Sequence, residues 1–319
     1  MTVLMRKLIK YFSIAIAVSL VTVLVIGLFY IRSVYKSLVT DNEKNFSPFV
    51  ISIIDKLTRH EPAPVITPPA EETIQILEGW TDSDIARYLE SEGKWPSAKF
   101  LEVAGLPRVD YRYNKKAPAL KDWSEEFSFL ADKPKYYGLE GYLFPDTYRI
   151  YASSTVAEVI EKMLGNFDDK LTAKMRADIK KQGKSIYEIV TMASIIEKEA
   201  PINYQKEDNR DARIISGIFW NRLEIGIALG SDATLTYIFG DNDPSHSIKD
   251  TKVDSPYNTY KYRGLPPGPI CNPGIIAIEA AIYPIATDYL YFLTPLGKNE
   301  VIYAHTNEEH SANKYQYLK

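Results

Sequence analysis

One cysteine in 319 residues leaves no partner for an intramolecular disulfide and no thiolate cluster for a metal. Burial is the expected fate of that thiol, Cys271. Histidines number four, and the only close pair, His305 and His310, has no third ligand motif nearby, so no metal site is expected. The EEH cluster around His310 reads instead as a surface or helix-start feature. Dense runs of Lys and Arg are missing too, and with a formal net charge of −3 this argues against a nucleic acid partner. Signs of disorder are also wanting: 45% of residues are hydrophobic and 25% charged, enough for a membrane segment plus one or two packed domains.

Charge is absent altogether from residues 11–31, YFSIAIAVSLVTVLVIGLFYI. About 20 apolar residues suffice for a helix to cross ~30 Å of hydrocarbon, so a single spanning helix is expected here. A cleaved signal peptide is the competing reading, but the run is long and RSVYKSL after it offers no small-x-small cleavage site. Arg6, Lys7 and Lys10 precede the span, whereas Arg32 and Lys36 are soon followed by Asp41 and Glu43. That asymmetry places residues 1–10 in the cytoplasm and everything after residue 31 on the outer face of the cytoplasmic membrane. Residues 32–70 then read as a juxtamembrane linker, helical at first and extended through the prolines of HEPAPVITPPAEE.

Residues 71–135 have the pattern of a small module. TIQIL alternates like a strand, Thr81 or Asp82 can cap a helix running to about Glu92, Ser97 can cap a second that Gly105 stops, and VDYRY suggests a closing strand. Strand, helix, helix, strand is the size of a glycan-binding repeat, although the pattern fits a structural spacer equally well. Beyond it, LEGYLFPDTYRIY packs aromatics around Glu140, Asp146 and Arg149. Aromatic faces beside carboxylates suit a sugar; they also suit a loop wedged into a core.

Ser185-Ile186-Tyr187-Glu188 has the form of a capping box and starts a helix. Ile186, Ile189, Val190, Ala193 and Ile196 fall on one stripe, and Glu197, eleven residues after Ile186, lies only about 20° from it. Glu197 therefore points inward, Glu199 lies roughly opposite, and Pro201 ends the helix. A carboxyl held against apolar side chains keeps its proton nearer to neutral pH, which describes a general acid. The same placement is compatible with a buried glutamate satisfied by an Arg or by backbone donors.

LEGYLFPDTY and ASIIEKEA, with the later stretches SPYNTYKYRGLPPGPICNPG and AHTNEEHSAN, resemble the endolytic murein transglycosylases of the YceG-like, MltG-type family. The resemblance covers nearly the whole chain. It implies an α+β protein with a single N-terminal transmembrane helix, a small LysM-like module over 71–135 and a mixed α/β catalytic domain over 136–319. It further implies that Glu197, the first glutamate of EKE, is the catalytic acid and that no cofactor or metal is needed. The substrate would be peptidoglycan glycan strands, cut endolytically between N-acetylmuramic acid and N-acetylglucosamine, with penicillin-binding-protein-type synthases as partners. Two departures stand out, at 226–236 and at 304–313: Ile227 and Ala233 occupy positions where the family leads one to expect Met and Pro, and an aromatic-rich strand is missing before EEH.

On that footing Pro266 and Pro267, in a stiff and sharply turning loop with Asn272, would wall a glycan groove. Tyr257, Asn258 and Tyr260 would stack on sugars or bond their N-acetyl groups, unless they are turn and packing residues. Glu140 is the expected second carboxylate, unless a salt bridge to an Arg occupies it. Two rival readings are a muramidase that uses water, which needs that second carboxylate, and a membrane-anchored scaffold that holds glycan without cutting it.

Overall fold

The computed structural model describes residues 70–114, 117–206, 209–241, 246–295 and 300–318, together with Ser19, 22–33, Lys36 and Lys56. Two compact units divide the chain, Met1–Pro68 and Pro69–Lys319. In the first, residues 22–33 are helical, and Val23, Leu24, Ile26, Leu28, Phe29 and Ile31 all stand exposed on that helix. About half of the expected span 11–31 and most of the linker 32–70 lie outside the described residues. Among the described residues, no helix is long and apolar enough to cross a membrane.

The second unit is α+β, with helices dominating two small antiparallel sheets. Strand β1 (Glu71–Gln75) leads to helices α1 (Asp82–Ser91) and α2 (Ser97–Ala104), and strand β2 (Thr147–Tyr151) follows a long irregular stretch. Helices α3 (Val156–Lys170), α4 (Ala173–Lys181), α5 (Ile186–Glu199), α6 (Arg210–Glu224), α7 (Asp232–Phe239) and α8 (Ile275–Ile282) build the body. Strands β3 (Tyr291–Leu293) and β4 (Ile302–Ala304) and helix α9 (Asn307–Tyr317) close it.

Strand β1 begins the expected module, but its partner is β2, in the register Glu71↔Tyr151 to Gln75↔Thr147. The closing strand near VDYRY is not formed: residues 109–113 make turns, in which Asp110 binds the Arg112 guanidinium and takes it out of strand pairing. Pairing with β2 succeeds because Tyr148 and Ile150 alternate into the core opposite Ile74. The expected boundary at 135/136 therefore does not separate two compact bodies. Helix α1 is capped by Thr81 in a reciprocal box with Asp84, as the sequence suggested. Helix α2 instead has Pro96 at its cap, and Ser97 is its first residue.

LEGYLFPDTY turns out to be core. Tyr142, Leu143 and Phe144 are buried, and Phe167 of α3 stacks on Phe129 at 4.8 Å and lies 5.4 Å from Tyr142. Truncating such a fully enclosed ring costs about 3–5 kcal/mol. This cluster fixes β2 and α3, and α5 packs between this body and α8.

Candidate active site

Helix α5 starts at the predicted capping box, with Ser185 accepting from the Glu188 N–H and the Glu188 carboxylate accepting from Ser185. Every residue from Ile189 to Ile196 is buried, so the helix is enclosed on all sides and not along a single stripe. Polar side chains emerge only in its first and last turns. Glu197 is half-buried in the last, and its Oε2 accepts from the Tyr204 hydroxyl at 2.5 Å and from the Gly274 N–H at 3.0 Å. Among the described residues no hydrogen bond reaches Oε1. Burial pushes the Glu197 carboxyl above its ordinary range; the bonds from Tyr204 and Gly274 oppose the rise, the Glu78 charge adds to it and Lys198 opposes it. With Oε2 committed as a double acceptor, the proton of the neutral acid belongs on Oε1, the oxygen free to exchange it.

Three stretches far apart in sequence meet around this carboxyl. The turn between β1 and α1 carries Glu78, Gly79 and Trp80; the loop after α5 carries Tyr204; the loop before α8 carries Cys271 to Gly274. The first and third are laced together by two backbone bonds, Gly79 N–H to Asn272 C=O at 2.9 Å and Asn272 N–H to Trp80 C=O at 2.8 Å. Gly79 adopts φ +75°, and a Cβ there would touch the Glu197 Cγ at 3.5 Å. Crowding is tighter at Gly274, where a Cβ would stand 2.5 Å from the Tyr204 hydroxyl and 2.7 Å from the Glu78 Cγ. Glycine at 274 is thus what lets its own N–H reach the acid. Beneath, the Cys271 thiol is buried against the Ser194 carbonyl and its pKa is pushed up by burial, as suits a packing residue.

Two open cavities reach residues adjacent to Glu197. One, of about 240 Å³, is lined by Glu78, Phe144, Asp146, Lys170 and Ile275. The other, of about 120 Å³, is lined by Arg87, Arg108, Lys198, Ala233 and Tyr237. Each is bordered by the turn between β1 and α1, so the stretch read from sequence as either a glycan-binding repeat or a spacer contributes to the surroundings of Glu197.

Most of the residues picked from sequence as substrate contacts are placed elsewhere. Asn272 is fully buried, donating to the Trp80 carbonyl and Asp82 and accepting from the Leu143 N–H, so it ties loops together. Asn258 is equally buried and braces its own turn, donating to Thr251 and Val253 carbonyls at 3.0 and 2.8 Å. Tyr257 is buried against Tyr237 with ring centroids 5.1 Å apart. Pro266 is buried, and the Pro267 carbonyl accepts from the Tyr187 hydroxyl. Tyr187 lies in the first turn of α5, ten residues before Glu197, which sets the Pro267 end of this loop about 15 Å along the helix from the acid that its Gly274 end touches. Tyr260, 39% exposed, does face solvent and donates to Asp232 at 2.6 Å. The amides read as sugar-binding groups are spent on backbone that the turns cannot satisfy internally.

Glu140 is also corrected. It is 8% exposed and belongs to a buried pair with Asp82: its Oε1 accepts from the Asp82 N–H at 3.1 Å and its Oε2 from the Tyr237 hydroxyl at 3.3 Å. Burial drives the Glu140 carboxyl well up and the Asp82 carboxyl to about 7. Among the described residues no Arg pairs with Glu140. Glu199, across α5 from Glu197, accepts from the Ser231 hydroxyl and from the Ala233 N–H at 3.3 Å, holding the start of α7. Ala233 stands where a proline was expected, and a proline would have no N–H to give. Glu78, Tyr204 and Gly274 escaped the sequence reading, because nothing in sequence brings residues 78, 204 and 274 together; the glycine in NPG was the only signal.

A half-buried carboxyl with one oxygen anchored and the other free has the geometry that general acid–base work requires. The chain belongs to the YceG-like family, whose model matches residues 46–316. It is 39% identical over 180 residues to the endolytic murein transglycosylase of Bacillus subtilis, covering 56% of this chain and 48% of the relative. To that of Streptococcus pneumoniae it is 32% identical over 256 residues, covering 78% and 45%. The chain thus spans about half the length of the curated relatives it matches. A crystal structure of a yceG-like protein from Listeria monocytogenes superposes with a TM-score of 0.64 at 33% identity, over 83% of this chain and 81% of that one.

Proposed function

We propose that this protein is a peptidoglycan lytic transglycosylase that cuts within glycan strands between N-acetylmuramic acid and N-acetylglucosamine, and that it ends the elongation of nascent strands. The observation that carries the reading is the Glu197 carboxyl, raised by burial and held through Oε2 alone. Glu197 gives its proton to the glycosidic oxygen as the C1–O bond breaks through an oxocarbenium-like state. The resulting carboxylate takes the proton of the muramic 6-hydroxyl, which closes on C1 to leave a 1,6-anhydro end. The nucleophile is part of the substrate and arrives oriented, so water is not consumed. Open cavities lined by residues next to the acid, Lys198 in one and Glu78 in the other, leave room for a glycan strand.

The exposed apolar helix over 22–33 and the basic residues before it support a membrane anchor with the catalytic unit on the outer face, where penicillin-binding-protein-type synthases lay down strands. A C-terminal reporter active only in the cytoplasm should stay silent; activity would reverse the topology. Digestion of purified glycan strands followed by mass spectrometry tests the chemistry, since anhydro ends lack the mass of one water. Hydrolysis is the second reading, favoured by the carboxylate of Glu78 near the acid, and it would leave that water in the product.

A further inference from the structure

We propose that Glu78, on the turn between β1 and α1, is a second catalytic carboxylate that faces the reacting carbon opposite Glu197. The proposal rests on the transglycosylase reading above and adds a residue to it. Three short separations place this side chain: a Cβ at position 274 would lie 2.7 Å from the Glu78 Cγ and 2.5 Å from the Tyr204 hydroxyl, and that hydroxyl is 2.5 Å from Oε2 of Glu197. Glu78 is exposed, lines the cavity of about 240 Å³ and makes no hydrogen bond or ion pair among the described residues. Its neighbours in the turn are fixed, by contrast, because Gly79 and Trp80 are bonded to Asn272 on both strands of the loop contact. A rigid backbone presenting an uncommitted carboxylate to a groove is an arrangement for acting on a ligand, not for holding the fold.

The chemistry needs a negative charge at this place. As the glycosidic bond breaks, its electron pair leaves with the oxygen that takes the Glu197 proton, and positive charge develops at C1 and the ring oxygen. The Glu78 carboxylate stabilises that charge without exchanging a proton itself, after which the 6-hydroxyl bonds to C1 and its proton returns to Glu197. Its charge also favours the protonated form of Glu197 in the free protein. The turn that begins the glycan-binding-like module would then serve the cut itself.

The test compares wild type, Glu78→Gln and Glu78→Asp on purified glycan strands, following anhydro-product release across pH. Glu78→Gln should slow release by about tenfold or more and move the alkaline limb of kcat/KM to lower pH, because Glu197 loses its proton more readily without the neighbouring charge. Glu78→Asp, which keeps the charge, should keep the limb. Melting temperature should match wild type in both, as befits an exposed side chain. Wild-type rate and limb in Glu78→Gln would overturn the role of Glu78 and leave the transglycosylase reading standing. A fall of several degrees in Tm would overturn it as well, by making Glu78 structural. Failure of wild type to cut strands would overturn both readings together.

Discussion

Glu197 with Glu78, and Asp82 with Glu140, are two pairs of acids, and each takes one member from the same short stretch, residues 78–82. Burial raises the pKa of Glu197, of Asp82 and of Glu140 alike. What separates the pairs is access. Asp82 is 1% exposed, its Oδ1 is bound to Asn272 and its Oδ2 has no partner among the described residues, whereas Glu197 is half-buried, with one oxygen anchored and the other free. A raised carboxyl pKa marks both sites, and only geometry tells the one that can reach a substrate from the one that holds loops together.

The comparison would break most decisively at the acids themselves. Glu197→Gln keeps the size and removes the titration, so strand cleavage should fall by a factor on the order of 10² or more with folding retained. Glu140→Gln, whose amide oxygen can still accept from the Asp82 N–H while its NH2 can donate to the Tyr237 hydroxyl, should stay within a few-fold of wild type in the same assay. The reverse pattern would make the buried pair the active one.

Steric crowding around the acid comes next. Gly274→Val places atoms where a Cβ alone would already meet the Tyr204 hydroxyl at 2.5 Å, so Tyr204 and Glu78 must move and cleavage should drop about tenfold or more. Cleavage at the wild-type rate would show that the Tyr204 bond to Glu197 is dispensable.

The buried pair should be read in stability instead. Asp82, raised to about 7 from an ordinary value of 3.8, binds a proton more tightly folded than unfolded. Its contribution is therefore least costly below about pH 4 and worsens as pH rises to about 7, with Glu140 acting in the same sense. Lys133, pushed down to about 8 by burial, titrates above that window. Chemical denaturation of the unit Pro69–Lys319 at pH 5 and pH 8 should show the higher stability at pH 5, by on the order of a few kcal/mol. Asp82→Asn should flatten that difference, and an unchanged pH dependence in the variant would refute the assignment.

Glu199→Gln is expected to have the smallest effect on cleavage, a few-fold, as for a displaced loop and not a lost acid. Its carboxylate holds Ser231 and Ala233 at the start of α7, and an amide can still accept one of those bonds. Loss as complete as in Glu197→Gln would move the acid to Glu199.

Local patterns in the sequence were read well because their causes are local. The Ser185 and Thr81 caps, the helices they start, and Glu197 on an inward face all follow from spacing over a few residues. Glu199 was placed on the opposite side of the wheel, but its hold on Ser231 and Ala233 was not legible, since periodicity shows the side of a helix and not what packs there. The strand partner of β1 lies some seventy residues away, beyond any local signal, so a nearer candidate at 109–113 was taken in its place. Asn258 and Asn272 looked like sugar-binding amides because a sequence cannot say whether an amide faces a groove or satisfies buried carbonyls. The second carboxylate was sought at Glu140, amid aromatics, while Glu78 sits in a plain turn whose importance appears only when three distant segments close around Gly274.

The most direct test of the central claim is the mass of the ends released when the full-length protein, and its Glu197→Gln variant, digest purified peptidoglycan glycan strands. Internal cuts yielding 1,6-anhydro-muramic ends, one water lighter than hydrolytic ends and lost in the variant, are the predicted result. Hydrolytic ends from the wild type, or anhydro ends in undiminished yield from Glu197→Gln, would contradict it.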